Sequence, residues 1–251
     1  PINLTIIKLN LKMNHFIKYL LSFLLLTNLQ IINGQITHGV ILFERKTNLL
    51  KKYDSPESQR WLRGEKVKID RFNLHFSPEK SFFLPIESAV PTKADWATSK
   101  NTVIQDFQNK ERLSIYNLMG ESKVVKDNLI ERNWKITERK RNIAGYSCRR
   151  AIWMKNDSTK IYAWYSDQLI ASTGPETFNG LPGTILGLAT EDGGVVYFAK
   201  IIKESYQNID ELTADIKLKN YSTEQELKDE LVKKSKSNPW MSKVVNYLFE
   251  W

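Results

Sequence analysis

From Ile36 onward the apolar residues come in short runs rich in Val, Ile, Tyr, Phe and Trp, separated by polar turn clusters, a spacing that suits antiparallel strands rather than helices. Residues 39–46 read as a first strand. Residues 66–76 include a clear alternation of period two that ends at the Ser77-Pro78 turn signal, so one side of that strand faces a core and the other faces water. Residues 81–84 follow, and a meander comes next: 102–107, 111–118, a turn near Met119-Gly120, 123–129 and 134–141. On the next strand Tyr146, Cys148, Arg150, Ile152 and Met154 share one face, and Ser147, Arg149, Ala151 and Trp153 the other. Asn156-Asp157-Ser158 turns it back into residues 160–165. Residues 184–190 and 195–202, joined at Asp192-Gly193-Gly194, form another hairpin, whose apolar strands imply burial on both faces or closure of a curved sheet.

Helix is scarce. Residues 55–64 read as a polar loop or short helix anchored by Trp61, and residues 85–101, with Pro85, Pro91 and many small polar residues, as a surface loop. Ser222-Thr223-Glu224-Gln225 has capping-box form, Leu227 and Leu231 recur at i,i+4, and Lys233-Lys234 fill the last turn. Pro239-Trp240 begins a short apolar tail. The expected fold is mainly β (α+β): one domain over residues 36–251, built on a large curved antiparallel sheet or open half-barrel, with a C-terminal helix.

Residues 1–35 are a different kind of sequence. They carry Lys8, Lys12 and Lys18, no acid, and the apolar run 19–26, which has the shape of a secretory signal starting at Met13, with residues 1–12 upstream of it. The uninterrupted apolar core is shorter than the ~20 residues that span a bilayer. Cleavage is expected next to Gly34 or Gln35, and no cysteine lies near that exit to take a lipid. The expected product is exported, periplasmic or outer-membrane associated, soluble after cleavage and not a lipoprotein.

The formal net charge is +9, and without the leader 34 basic residues stand against 28 acidic ones. The basic clusters Lys51-Lys52, Arg139-Lys140-Arg141, Arg149-Arg150 and Lys233-Lys234 read as scattered, unlike the concentrated face of a nucleic-acid module, so no nucleic-acid partner is expected. The single cysteine, Cys148, excludes an internal disulfide and a thiolate zinc cluster. No phosphate loop, dinucleotide fingerprint or Gly-x-Ser-x-Gly elbow occurs, and no metal or cofactor is expected. A Cys148 nucleophile would need a base beside it, and only His38 and His75 remain after export. Neither spacing is diagnostic. Cys148 reads as a small buried apolar residue, and the pairs Glu191-Asp192 and Asp210-Glu211 as solvated charges, so no catalytic residue is nominated.

Two features point to binding. In Gly180-Leu181-Pro182-Gly183 the proline fixes φ and the glycines accept positive φ, so the four residues make a tight, rigid reversal. It is either a presented loop with Leu181 at its tip, meeting a partner or capping a cavity, or a turn that starts a core strand with Leu181 packed inward. The second feature is an excess of aromatics on adjacent strands: Trp134, Tyr146, Trp153, Tyr162, Trp164 and Tyr165. Alternation sends them to both faces of one sheet; a face left uncovered would become an apolar groove for a lipid, a peptide or a partner strand, with Trp153, Tyr162, Trp164 and Tyr165 as its candidates. Covered by a helix or the C-terminal tail, they are core.

The run Asn179-Gly180-Leu181-Pro182-Gly183-Thr184-Ile185-Leu186-Gly187-Leu188 resembles the motif of the GLPGLI family, exported proteins of unknown biochemical function, with Thr184 where the name-giving motif has Leu. Trp134-Lys135-Ile136-Thr137, residues 143–148 with Ala151, residues 162–165, Gly174-Pro175 and Phe178 are similar to the family's order of elements, so the resemblance covers residues 36–235. It implies a role beside outer-membrane receptors of the TonB-dependent type, whose genes often accompany such proteins. The leading expectation is a non-enzymatic binding or accessory protein of the envelope. The alternatives are a carrier of a hydrophobic ligand, lipid or peptide, in an open half-barrel, and a hydrolase whose site is not identified.

Overall fold

The computed structural model describes residues 34–236, apart from 89, 91, 119, 157–158 and 217–219, together with Lys18. Most of the leader from Met13, the centre of the Asn156-Asp157-Ser158 turn, Met119 and the tail from Pro239 lie outside the described residues. The chain divides into two units, residues 1–34 and 35–251, and the second carries every element named below.

Twelve strands form one open sheet. They are β1 (Gly39–Asn48), β2 (Val67–Phe76), β3 (Lys80–Ile86), β4 (Thr102–Asp106), β5 (Glu111–Leu118), β6 (Glu121–Asn128), β7 (Lys135–Ile143), β8 (Tyr146–Asn156), β9 (Thr159–Ser166), β10 (Thr184–Thr190), β11 (Val195–Glu204) and β12 (Tyr221–Ser222). The order is β12-β6-β5-β4-β3-β2-β1-β11-β10-β9-β8-β7, antiparallel throughout except where β12 joins β6. Two meanders are therefore sewn together along β1 and β11. The alternation in β1 and β2 does what period two requires. Phe43 pairs with Phe72, Ile41 with Leu74 and Arg45 with Asp70, all on one buried face, here called inner.

That inner face is covered by three pieces of the same chain. The connection between β9 and β10, residues 167–183, lies across its centre: Thr173 bonds to Ser81 of β3, Asn179 to Gln105 of β4 and Glu176 to Tyr197 of β11. Helix α4 (Glu224–Ser235) sets Leu227 and Leu231 against Tyr116 and Val125. It starts from a capping box formed by Thr223 and Glu226, one residue later than the Ser222–Gln225 pattern. At the other end, α1 (Leu49–Lys52), α2 (Pro56–Trp61) and a 3-10 turn (Asp95–Ala97) gather Leu49, Leu62, Ala94 and Ala97 into a small core of their own. A fourth short helix, α3 (Ile209–Thr213), follows β11.

Two expectations are corrected here. Trp61 is 53% exposed and does not anchor its helix; Leu62, one residue on and turned inward at the C-cap, is 1% exposed and does. Residues 85–101 are not a surface loop, because Ala94, Ala97, Thr98 and Asn101 are buried and polar bonds hold the segment down. Thr98 donates to Asp70, the carbonyl of Ser99 accepts from Arg45, and Asp95 pairs with Lys68. The two faces of β8 follow the expected alternation, with Ala151 and Trp153 in register with Ala163 and Ile161 of the inner face and Arg150 with Trp164 of the other, yet Cys148, on the Arg150 side, is as fully buried as Ala151. The β7–β8 register shifts between Ile136 and Lys140, and such an irregularity twists a hairpin. Its far end folds over the opposite, outer face: a Cβ on Gly187 would stand 2.9 Å from Cδ1 of Ile143.

Candidate functional site

The Gly-Leu-Pro-Gly reversal is a turn that feeds a core strand, and Leu181 is not presented at a tip: it is 2% exposed and packs in the main core. The Gly183 N–H donates to the Leu181 carbonyl at 2.8 Å, closing a three-residue turn around Pro182, whose ring supplies the required φ. Gly180 and Pro182 remain exposed. Thr184, where the resembled motif has Leu, is fully buried, and its hydroxyl donates to the Ala171 carbonyl at 2.7 Å, which removes the cost of the extra polar group.

The four aromatics nominated for a groove do not line one. Trp153 and Tyr165 belong to the inner face, because they sit beside or in register with buried Ile161 and Ala163. There Trp153 packs on Trp134 and Phe178, with the Arg132 guanidinium 4.2 Å from the Phe178 ring centroid. Tyr162 and Trp164 point the other way, capped by cations: Arg150 lies 5.3 Å from the Tyr162 centroid, and Arg141 5.1 Å from that of Trp164 and 5.0 Å from that of Phe198.

Beneath residues 167–183 lies a buried charge cluster that was not nominated from the sequence. Arg45 pairs with Asp70 at 2.8 Å and reaches Glu176 at 3.6 Å, while Tyr197 donates to Glu176 at 2.6 Å. Burial pushes the Glu176 carboxyl up, against the pull of Arg45 and Tyr197, and pushes the Tyr197 phenol well above its ordinary value. Glu176 holds a left-handed φ of 56°. The signal was present, since Arg45 and Asp70 occupy inward positions of two alternating strands, where a charge demands a partner. What period two could not supply is Glu176, on an irregular segment. A second cation, Arg132, donates to the carbonyl and hydroxyl of Thr177, and burial, then neighbouring Arg112, pulls its pKa down to about 9.

These groups are sealed rather than set in a reactive constellation. Cys148 is fully buried beside the Tyr146 carbonyl, and burial pushes its thiol up to about 11. His38 bonds to Thr37, and His75 lies against Phe82 with its pKa lowered by burial. Among the described residues neither histidine contacts Cys148, and no group of three metal-ligating side chains occurs. Native protein should therefore be inert to a thiol reagent such as dithionitrobenzoate at neutral pH and titrate as one thiol per chain in denaturant. Rapid labelling of the native state would contradict the buried placement.

The basic excess is not scattered, and counting it hairpin by hairpin would have found it. Residues 135–156, the β7–β8 hairpin, hold seven basic residues and one acidic residue. Elsewhere in residues 36–251, 27 basic residues and 27 acidic ones cancel.

Residues 153–187, from Trp153 on β8 through the Gly-Leu-Pro-Gly turn to Gly187 on β10, match the family model Porph_ging, described as a protein of unknown function. No curated protein matches the chain. Among solved structures, PNGF-II in its C2 crystal form superposes with a TM-score of 0.55 and 16% identity over 77% of this chain and 32% of that one. Its P21 form gives a TM-score of 0.52 and 18% identity over 75% and 31%. The chain thus spans about a third of the length of PNGF-II, and what the two share is the fold.

Proposed function

We propose that the chain is an exported protein of the GLPGLI type that acts by binding and not by catalysis, as an accessory module of the periplasm or outer membrane that is soluble once its leader is removed. One observation carries this reading. The inner face of the sheet, where a carrier would hold cargo and a hydrolase would hold substrate, is filled by residues 167–183, with Phe178 and Leu181 in the core and the Arg45 cluster enclosed beneath them. A lipid or peptide would have to displace a segment tied to β3, β4 and β11 by hydrogen bonds. The surface left for recognition is the outside of the molecule. The resemblance to the GLPGLI family makes an outer-membrane receptor of the TonB-dependent type the partner to look for.

The test is affinity purification of the tagged mature protein from its native envelope in mild detergent, with mass spectrometry of the proteins and small molecules retained. Retention of an outer-membrane barrel is the expected result. Repeated recovery as a free monomer would count against the reading, and a stoichiometric lipid or peptide without a barrel would restore the carrier.

A further inference from the structure

The β7–β8 hairpin combines two properties that bear on what the surface binds. First, β7 ends the sheet: among the described residues it pairs only with β8, so the backbone on its other side has no strand partner, in two stretches on either side of the register shift between Ile136 and Lys140. At the opposite end of the sheet β12, only two residues long, pairs with Val124 and Val125 of β6. Most of the nine residues of β7 are exposed. Second, that edge is where the basic excess of residues 36–251 is concentrated. Lys135, Arg139, Lys140 and Arg141 lie on β7 against Glu138, and Arg149, Arg150 and Lys155 follow on β8. Lys135, Arg139 and Lys140 make no ion pair among the described residues, while Arg141 and Arg150 rest on aromatic faces.

Building on the binding-module reading, we propose that the β7 edge takes up one further strand, an extended acidic segment of a partner polypeptide. An open backbone edge is complementary to another backbone, and that favours a polypeptide over other anions such as lipid headgroups. Charge then selects among polypeptides. Two copies of β7 side by side would bring their basic residues together, which disfavours an edge-to-edge dimer of this chain, whereas a strand carrying Glu or Asp at alternate positions can set them beside Lys135, Arg139 and Arg141, which share one parity along β7. Lys and Arg on an edge also block indiscriminate strand addition, so the same residues exclude the wrong partners and admit the acidic one.

The experiment measures binding to the full chain of a synthetic peptide of about ten residues alternating Glu with Thr, a length that matches one strand. It is compared with a Lys-Thr counterpart, a Glu-Thr copy N-methylated at alternate amides, and vesicles of anionic phospholipid. The Glu-Thr peptide is expected to bind at least about tenfold more tightly than either control peptide, and Arg139→Glu with Lys140→Glu to weaken it by about tenfold or more. Lys135→Glu, at the other end of the strand, should act in the same direction, and circular dichroism should show both variants folded. Equal binding of the N-methylated copy, unchanged binding by the charge-reversed variants, or binding of the vesicles without the peptide would overturn the proposal. An envelope partner recovered equally by the wild type and by the Arg139→Glu, Lys140→Glu protein would also overturn it, while leaving the binding-module reading intact.

Discussion

Replacing Arg45 by Met should cost about 3 to 5 kcal/mol of folding stability at neutral pH, the range measured when one member of a buried ion pair is removed and its partners stay behind. The size follows from enclosure. Arg45 is the only cation bonded to Asp70 and Glu176 among the described residues, and all three lie within the inner face, together with Tyr197. Methionine fills much of the volume beside Phe72 but offers nothing to the two carboxyl groups. The loss should also depend on pH in a definite sense. Burial already raises the Glu176 carboxyl above its ordinary value, and removing Arg45 takes away one of the two groups that hold it down. A carboxyl with a raised folded-state pKa contributes stability that is fully present below its ordinary value and is lost as pH rises through the raised one. The penalty of Arg45→Met should therefore be largest at neutral pH and shrink on acidification. Urea unfolding of both proteins at several pH values checks this, and a neutral-pH loss below about 1 kcal/mol would place the cluster in contact with water.

The second large effect separates two glycines that look alike in the sequence. Gly183→Ala should destabilise the protein by more than about 3 kcal/mol, because a strained backbone is compounded by a collision. Its φ is +140°, and an added Cβ would stand 2.2 Å from the carbonyl oxygen of Ser166 and 2.9 Å from Cα of Asp167, which are backbone atoms that cannot rotate aside. Gly180→Ala should cost only about 1 to 2 kcal/mol, the price of a left-handed φ in an L-residue. Its φ is +88°, and the nearest atoms to an added Cβ belong to the Trp134 ring at 3.7 Å. Thermal unfolding of the two variants should rank them clearly. Equal losses would mean that the turn tolerates movement against β9.

How much of this was legible before the structure varies with how local each feature is. The β2 and β5 strands, the 192–194 turn and the C-terminal helix were readable because side-chain direction in a strand or helix is set by the backbone period within a few residues. Leu181 was legible only as a choice between tip and core. Trp61 misled, since a large apolar side chain marks a helix but does not say which way the helix turns. The period of two also divides Tyr162 and Trp164 from Tyr165, on opposite faces of β9, but it does not say what covers either face. The charge of the β7–β8 hairpin is carried by the sequence, but the balanced charges of the remaining strands mask it in the total.

The amino-acid sequence by itself determined that residues 36 onward form a sheet of antiparallel strands, where most of them turn, and that Cys148 stands without a base at diagnostic spacing. Only the tertiary structure decided that β1 pairs with β11 across about 150 residues, with Phe43 opposite Ala199, and that residues 167–183 fill the inner face. It also decided that β7 is left at an edge of the sheet. The reason is physical. Period and turn chemistry act over a few residues, whereas strand order and the cover of a sheet face are chosen by which apolar surfaces and buried charges find complements far along the chain, as Arg45 of β1 does in Glu176 of the β9–β10 connection.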